Sequence, residues 1–382
     1  MIDFELTEEQ KALQRLAREF TKDRIIPIAA ECDRESKFPH EVFKEAHRLG
    51  LVAPNIPAAY GGMGLSELDH VLIVEELAYG CTGIQTSITA NALAATPIML
   101  AGTEEQKKKY LGMLASEPIY AAYAITEAAA GSDAAGIQCR ARKVGDDWVL
   151  TGEKIYITNA SMASFYVVFA TIDPSLRHKG IMAFIVDRDS PGLSVGRKED
   201  KMGQRASDTA TLILEEVRVP KENVLAEAGH GFKLAMQSFD RTRPDIGAGA
   251  CGLMRRAIDE CARFALERKT FGVPIAQHQA IQFMIADMAI KYEATRLLVH
   301  KAAWMIDRGE RNSLVASYSK AFGADSAMEV ATNAVQIFGG AGYMKDYPVE
   351  KLMRDAKILQ IYEGTSQIQR IVIARHILSQ YS

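Results

Sequence analysis

The spacing of apolar residues changes twice along the chain, and this limits the fold more than any single motif does. Up to about residue 119, apolar residues recur at helical spacing, interrupted by turn-rich stretches such as PNIPAAYGGMGL. Between about 120 and 229, short stretches rich in β-branched and aromatic residues follow one another without helical segments between them. Long helical segments with few breakers occupy the remainder.

These three regions predict an α+β multidomain protein. We expect an N-terminal helical domain over residues 1–119, a middle β domain over residues 120–229 and a C-terminal four-helix bundle over residues 230–382. Short strands without intervening helices favour an antiparallel barrel or sandwich for the middle domain. Long amphipathic helices joined by short loops are typical of an antiparallel bundle.

Two capping boxes indicate helix starts in the first domain: Thr7 with Gln10, and Thr103 with Gln106. The helix after Thr7 should bury one apolar face, formed by Leu13, Leu16, Ala17 and Phe20. This segment is too acidic for a transit peptide and lacks the apolar run of a signal peptide. We therefore expect a bacterial cytoplasmic protein, with the mitochondrial matrix of a processed chain as the alternative.

The stretch from Leu77 to Thr103 contains no charged residue. A membrane-spanning helix needs about 20 predominantly apolar residues, whereas this stretch includes Gly80, Gln85, Asn91 and Pro97 among its many polar and breaking positions. We predict a helix buried inside the protein and no membrane insertion.

Charge and cysteine content exclude several classes of site. A net charge of −3 argues against a general nucleic-acid-binding surface. The five cysteines are scattered, without CxxC spacing, and no HExxH or histidine cluster is present, so we expect reduced, buried thiols, no disulfide framework and no metal site.

The string GAGACG places Gly247, Gly249 and Gly252 in the GxGxxG spacing of a dinucleotide site. Such a fingerprint should follow a buried strand, but here the preceding segment has helical spacing at Phe232, Ala235, Met236 and Phe239. We interpret the glycines as positions of close helix packing or of close approach by a ligand, in preference to nicotinamide binding.

Glu363 lies in the sequence LQIYEGTSQIQR, between an aromatic residue and a glycine, with Thr365 and Ser366 behind it as candidate helix caps. Apolar surroundings would desolvate the carboxylate, raise its pKa and make it a better base near neutrality. The pattern alone favours an acid with a turn or capping role, because single carboxylates are common in turns.

Seven motifs follow one another along the chain: AYAITEAAAGSD, KIYITN, FDRTRP, ERKTFG, QHQA, QIFGGAGY and PVEKLMRDAKILQIYEGTSQIQR. In this order they resemble the acyl-CoA dehydrogenase family over essentially the whole chain, and the C-terminal half is most similar to medium-chain members. The resemblance implies that Glu363 is the catalytic base, because it matches the position of the base in short- and medium-chain members. Branched- and long-chain members carry their glutamate where Thr242 stands.

The resemblance implies an FAD-dependent oxidation of an acyl-CoA. Glu363 would take the α-proton while donors polarise the thioester carbonyl, which lowers the pKa of that proton. The β-hydride would pass to flavin N5 and leave a trans-2-enoyl-CoA. The resemblance further implies a homotetramer of fatty-acid β-oxidation and an electron-transferring flavoprotein as electron acceptor.

The resemblance also assigns binding residues. The residues that it assigns to FAD binding are Tyr123, Ile125, Thr126, Gly131, Ser132, Tyr156, Thr158, Arg268, Thr270, Phe271, Gln279, Gln336, Gly339, Gly340, Thr365 and Gln367. Of these, Arg268 and its neighbours in the motifs would reach the pyrophosphate of an adjacent subunit's FAD, because a guanidinium suits phosphate oxygens. It places at the substrate Ser132, Asp240, Arg243, Tyr362 and Gly364, although Asp240 and Arg243 also fit an i, i+3 surface ion pair.

Three departures from the family pattern bear on the site. Relatives commonly have Pro-Gly where Ala128 and Ala129 stand, and often Trp where Tyr156 stands. Many medium-chain relatives have Glu where Thr89 stands.

The expected acyl group follows from the segment around Thr89, which resembles the helix lining the far end of the acyl pocket. Thr89 and Ala90 leave room for a neutral chain, and the segment has no cation to pair with a dicarboxylic acyl group. We expect straight short-to-medium chains, with alicyclic or branched groups as runner-up. For Asn91 we favour a structural role over a contact with a polar or ring-bearing acyl group. An acyl-CoA oxidase and a catalytically silent flavoprotein scaffold are the competing hypotheses for the chain as a whole.

Overall fold

The structure is a computed structural model that describes residues 4–381. Its N-terminal part is helical, as predicted. The helices are α1 (Glu8–Phe20), α2 (Ile26–Glu35), α3 (His40–Arg48), α4 (Glu67–Gly80), α5 (Thr82–Ala101), α6 (Glu104–Gln106) and α7 (Gly112–Ser116). Single π-helical turns, Thr21–Ile25 and Lys107–Leu111, join α1 to α2 and α6 to α7.

Both predicted capping boxes are confirmed. The Thr7 hydroxyl accepts from the Gln10 backbone N–H at 3.2 Å, and the Thr103 hydroxyl accepts from the Gln106 N–H at the same distance. The predicted face of α1 also packs inwards, because Ala17 and Phe20 are buried in the core and Leu13 and Leu16 pack against it. Local capping chemistry therefore sets where these helices begin.

The uncharged stretch from Leu77 to Thr103 is largely buried, but the prediction of one helix was wrong. The chain leaves helical geometry at Cys81 (φ −166°, ψ 115°), which separates α4 from α5. No helix within residues 4–381 is long and apolar enough to cross a membrane. Asn91 has the structural role that we favoured: its amide donates to the Ile119 carbonyl and accepts from the Ala121 N–H, which ties α5 to the first strand.

The middle region forms an eight-stranded sheet in which antiparallel pairing predominates. Its strands are β1 (Tyr120–Ala124), β2 (Arg140–Val144), β3 (Asp147–Thr158), β4 (Ala163–Thr171), β5 (Ile181–Asp187), β6 (Leu193–Lys198), β7 (Thr209–Val219) and β8 (Val224–Ala226). The order is β6-β7-β3-β2-β4-β5-β8, and β1 pairs with β4 in parallel. β2 also pairs with β4 in parallel, at Arg140 and Thr171. These two parallel pairings depart from our expectation of an antiparallel barrel or sandwich.

The C-terminal helices are α8 (Gly231–Glu267), α9 (Gln279–Asp307), α10 (Ser313–Phe338), α11 (Val349–Leu359) and α12 (Ser366–Leu378). A two-stranded hairpin, β9 (Lys269–Thr270) with β10 (Val273–Pro274), joins α8 to α9. The architecture thus agrees with the predicted fold class, while the domain boundaries at 119/120 and 229/230 stay a prediction. All five cysteines are free and buried.

The GAGACG string lies inside α8, and its glycines bring that helix close to its neighbours. A Cβ at Gly252 would lie 2.2 Å from the Glu75 carbonyl oxygen on α4, and one at Gly247 would lie 2.6 Å from the Val299 side chain on α9. A Cβ at Gly249 would meet only the end of the Gln85 side chain, at 3.2 Å. The interpretation as helix packing agrees with these contacts.

We expect Gly252→Ala to lower the free energy of unfolding by about 2 kcal/mol or more, because the methyl group would collide with the α4 backbone. Gly249→Ala is the matched control on the same helix. It should stay within about 1 kcal/mol of wild type, because the Gln85 side chain can move and alanine favours the helix. Thermal denaturation of both purified variants checks this, and equal melting temperatures would contradict the packing argument.

Candidate active site

Glu363 lies in a strained turn between α11 and α12. Glu363 and Gly364 both have left-handed backbone angles, φ +52° and φ +90°. Glycine adopts this conformation freely, but glutamate does so at a cost of about 1 kcal/mol or more. Behind the turn, the Thr365 hydroxyl accepts from the Ile368 N–H and starts α12, as predicted.

Side chains from three helices hold the carbonyl groups of this turn. Arg243 Nε on α8 donates to the Glu363 carbonyl at 3.4 Å, and Lys320 Nζ on α10 donates to the Gly364 carbonyl at 2.6 Å. Gln369 Nε2 on α12 donates to both, at 3.2 and 3.0 Å. The unusual backbone conformation is therefore fixed by contacts from outside the turn.

The Glu363 carboxylate accepts a hydrogen bond from the Thr242 hydroxyl, with Oγ1 2.7 Å from Oε2. Burial raises the pKa of the Glu363 carboxyl above its usual range. The Thr242 hydrogen bond and the charges of Arg243 and Lys320 act in the opposite direction. The result is a carboxylate that is less solvated than a surface acid and held in one orientation.

Asp240 and Arg243 do form an ion pair, at 2.9 Å, but it is not the surface pair that the i, i+3 spacing allowed. The side chain of Arg243 is only 6% exposed. Pro244 lacks the N–H that would bond the Asp240 carbonyl four residues earlier, and Asn312 Nδ2 donates to that carbonyl instead, at 2.6 Å. Ser313 also donates to the Asp240 carboxylate, so this part of α8 is anchored to the start of α10.

One tyrosine faces this turn and a second lies within it. The Tyr123 hydroxyl on β1 is buried and has no partner among residues 4–381, and burial, with the Glu363 carboxylate adding to it, raises its pKa well above the usual value. The Tyr362 hydroxyl accepts from Gln204 Nε2 at 3.4 Å, and Gln204 in turn accepts from Thr86 on α5. The turn is thus enclosed by the sheet and by α5, α8, α10 and α12.

A second group of predicted residues lies at the far end of the bundle. Phe264 stacks on Phe338 at 4.0 Å, which brings the C-terminal ends of α8 and α10 together. The predicted residues at this end are Arg268, Thr270, Phe271, Gln279, Gln336, Gly339 and Gly340. About 40 Å of helix, at 1.5 Å per residue, separates Thr242 from Arg268, so the two groups cannot meet one small site within a single chain.

Comparison with known proteins identifies the family. Sequence models of the N-terminal, middle and C-terminal domains of acyl-CoA dehydrogenase match residues 7–118, 122–217 and 229–378. The chain belongs to the acyl-CoA dehydrogenase family. The resemblance found in the sequence motifs is therefore confirmed, and the chain is an enzyme of the oxidoreductase class.

Three similar proteins illustrate the range of this family. A probable medium-chain specific mitochondrial acyl-CoA dehydrogenase of Caenorhabditis briggsae is 50% identical over 380 residues, which are 99% of this chain and 92% of that protein. Butyryl-CoA dehydrogenase from Megasphaera elsdenii superposes with a TM-score of 0.96 at 40% identity, covering 99% of this chain and 100% of that chain. A glutaryl-coenzyme A dehydrogenase has a TM-score of 0.95 at 35% identity, covering 99% and 97%.

Acyl-CoA dehydrogenases are flavoproteins, and the predicted FAD residues fit such a group. Tyr156 and Phe271 are exposed aromatic side chains, 62% and 96%, both with positive φ. A Cβ added at any of three predicted glycines would meet no heavy atom of residues 4–381 within 4 Å, so a ligand can approach their backbone closely; they are Gly131, Gly339 and Gly340. Exposed aromatic faces beside open glycine backbone suit a flavin and its diphosphate.

The predicted flavin loop after β1 is stabilised by a buried ion pair. Lys154 Nζ on β3 lies 2.6 Å from a Glu127 carboxylate oxygen and 3.1 Å from the Ile125 carbonyl. Glu127 also accepts from the backbone N–H groups of Gln138 and Cys139. The loop is thus held at its base, close to the departures from the family pattern.

The remaining predicted residues of this region differ in their burial. Ala128 and Ala129 are exposed, as are Ser132 and Gln367. Thr126 and Thr158 are partly buried. Replacing Pro-Gly by two alanines therefore changes an exposed part of the loop and leaves its buried base intact.

Four features of the site were not predicted from the sequence: Lys320, Gln369, Gln204 and the hydrogen bond from Thr242. Lys320 lies in the helical pattern NSLVASYSKAFGADSAMEV, and a lysine is usually solvent-exposed. The sequence did contain one indication of burial: many small residues (Ser, Ala and Gly) precede and follow this lysine in the helix. A helix that is hydrophobic or small all round is typically buried.

Among residues 4–381, one buried group brings three ligand-type side chains together: Glu67, His70 and Asp245. His70 Nδ1 lies 3.7 Å from a carboxylate oxygen of each acid. Burial alone lowers the pKa of His70, but the two carboxylates outweigh it and raise the pKa to about 9. Burial also raises the pKa of the Asp245 carboxyl well above its usual value. The absence of a metal at this cluster stays a prediction.

Proposed function

We propose that the chain converts a neutral, straight-chain acyl-CoA of short-to-medium length into its trans-2-enoyl-CoA, with Glu363 as the base that removes the α-proton. The observation that carries the proposal is the Glu363 carboxylate itself: it is partly buried, oriented by Thr242 and held in a strained turn that faces the predicted flavin residue Tyr123. A base near neutrality needs this combination of raised pKa and fixed direction.

The other residues of the site prepare Glu363 and the thioester. The Glu363 backbone N–H donates to no protein group within residues 4–381, so it can donate to the thioester carbonyl and stabilise the enolate oxygen. Arg243 and Gln369 hold the turn that presents this N–H. When bound, FAD supplies the acceptor for the β-hydride. The residues proposed to hold it are those that the resemblance assigns, from Tyr123 to Gln367.

The acyl preference rests on the helix α5. The Thr89 hydroxyl donates to the Gln85 carbonyl and accepts from the Gln85 side chain, so its polarity is satisfied within the helix. The helix carries no charged residue, and a buried carboxylate without a cation is very unfavourable. This opposes a glutaryl group, although a glutaryl-coenzyme A dehydrogenase is among the similar structures. Branched or alicyclic acyl groups are the second candidate.

We further propose an assembly and an electron acceptor. The roughly 40 Å of helix between Thr242 and Arg268 supports a homotetramer in which the Arg268 end of one chain completes the FAD site of another. An electron-transferring flavoprotein is the proposed acceptor, in preference to the oxygen of an acyl-CoA oxidase. Similar proteins come from mitochondria and from bacteria, and a bacterial cytoplasmic location is our proposal.

Replacing the proposed base tests the reaction. Glu363→Gln should retain the fold and FAD but lower the rate of flavin reduction by acyl-CoA by a hundred- to ten-thousand-fold or more, roughly the contribution of a general base. Anaerobic stopped-flow absorbance measures this rate. Glu41→Gln, an exposed acid on α3, is the control and should match wild type. Near-normal reduction in Glu363→Gln would exclude the assignment.

Removing Arg268 tests the assembly. Arg268→Ala should release FAD more readily and lower the melting temperature, because a ligand that bridges subunits stabilises them by mass action. Arg263→Ala, an exposed arginine one turn earlier that pairs with Glu260, should leave both unchanged. FAD release is followed by flavin fluorescence, and the oligomeric state by sedimentation. Tight FAD binding by a monomer in dilute solution contradicts the proposal.

A substrate series tests the pocket. The kcat/KM should peak at butyryl- or octanoyl-CoA, because each buried methylene contributes about 0.8 kcal/mol until the pocket is full. Isobutyryl- and cyclohexanecarboxyl-CoA should follow, and glutaryl- and palmitoyl-CoA should be poorest. An optimum on either of the last two would show that the proposed role of α5 is wrong.

A further inference from the structure

Lys320 is a buried lysine that faces the proposed catalytic turn. It lies on α10, is fully buried (0% exposed), and its ammonium donates to the Gly364 carbonyl at 2.6 Å. An ammonium group is strongly hydrated in water, and its burial is unfavourable unless a specific interaction compensates. That interaction here is made with the backbone of the turn that carries Glu363.

The turn depends on such a donor. Glu363 and Gly364 are consecutive residues in the left-handed region, and no intrahelical partner is available to their carbonyl groups within residues 4–381. Of the bonds that hold these carbonyls, the one from Lys320 is the shortest, and it comes from a charged donor, which makes it stronger than a bond from a neutral amide. Without it, the Gln369 amide would be the one donor left to the Gly364 carbonyl among residues 4–381, and the turn would be held less firmly.

Titratable groups on α8, α10, β1 and the turn itself lie near this pair. Arg243 and Asp245 come from α8, Tyr123 comes from β1 and Tyr362 lies in the turn itself; Asp325, on α10, acts on Lys320. Burial lowers the pKa of Lys320 to about 8, against the attraction of the Glu363 carboxylate. The same attraction opposes the rise that burial causes in the pKa of Glu363. Each group therefore favours the charged form of the other.

We propose that Lys320 is a positioning residue for Glu363: its ammonium fixes the Gly364 carbonyl, and with it the conformation of the turn, and places a positive charge beside the residue that carries the carboxylate. This inference rests on the proposed role of Glu363 as the base. It gives Lys320 no contact with substrate, and it predicts effects on both the rate and the pH dependence of the reaction.

The test compares three variants of the FAD-loaded enzyme. Lys320→Met removes donor and charge, and should lower the rate of flavin reduction by roughly ten- to a hundredfold, as expected for a displaced catalytic group. It should also move the acid limb of the kcat/KM profile upward by about one pH unit, because a nearby opposite charge shifts a pKa by that order. Lys320→Arg keeps the charge, and its acid limb should stay near that of wild type.

Lys351→Met is the matched control. Lys351 is also buried, but its ammonium bonds Asp355 on α11 instead of the catalytic turn. Its loss should lower thermal stability without moving the acid limb. If Lys320→Met does not fold, Lys320→Gln replaces it in the comparison. Glutamine removes the charge but keeps an N–H donor for the interior, which makes the variant easier to fold.

The outcomes separate this inference from the proposed function. The role of Lys320 alone is overturned by one combination of results. In it, Glu363→Gln is inactive, but Lys320→Met or Lys320→Gln keeps the acid limb of wild type and a rate within about threefold of wild type. A shifted acid limb in Lys320→Met or Lys320→Gln, with wild-type position in Lys320→Arg and Lys351→Met, supports it. An active Glu363→Gln overturns the base assignment first, and the Lys320 inference with it.

Discussion

The close contact between α8 and its neighbours is the constraint on which the rest of the structure depends. Gly252 lets the helix touch the α4 backbone, and a Cβ there would lie 2.2 Å from the Glu75 carbonyl. Gly247 and Gly323 allow the matching approach of α9 and α10. Because backbones this close leave no room for sliding, the position of α8 fixes where Thr242 and Arg243 stand.

That fixed position makes the strained turn possible. A glutamate at positive φ persists only where its surroundings over-determine it, and here donors from α8, α10 and α12 converge on two successive carbonyls. The bonds from Arg243 and Lys320 span 120 and 44 residues of sequence. The turn therefore acquires its shape from tertiary packing, and the short segment between α11 and α12 would not adopt it alone.

The sequence predicted the features that local chemistry controls. Capping boxes at Thr7 and Thr103, the burial of Leu77–Thr103 and the change from helix to strand near residue 120 follow from spacing within a few residues. It did not predict the break at Cys81 or the parallel pairing of β1 with β4, since both depend on what packs against them. Lys320 was missed for the same reason: its partner lies on another element, and a lysine considered alone favours an exposed position.

The charges of the site balance in a way that suits the proposed chemistry. Asp240 pairs with Arg243, and Lys320 faces Glu363, so these four groups together carry no net charge when all are ionised. Moving the α-proton from the thioester to Glu363 transfers one negative charge to the enolate oxygen and creates none. Charge separation in a desolvated interior is the most expensive event that such a reaction could require. The cations that first stabilise the carboxylate remain beside the turn whose N–H we propose as a donor to the enolate oxygen, so the same electrostatic field can serve the reactant and the intermediate.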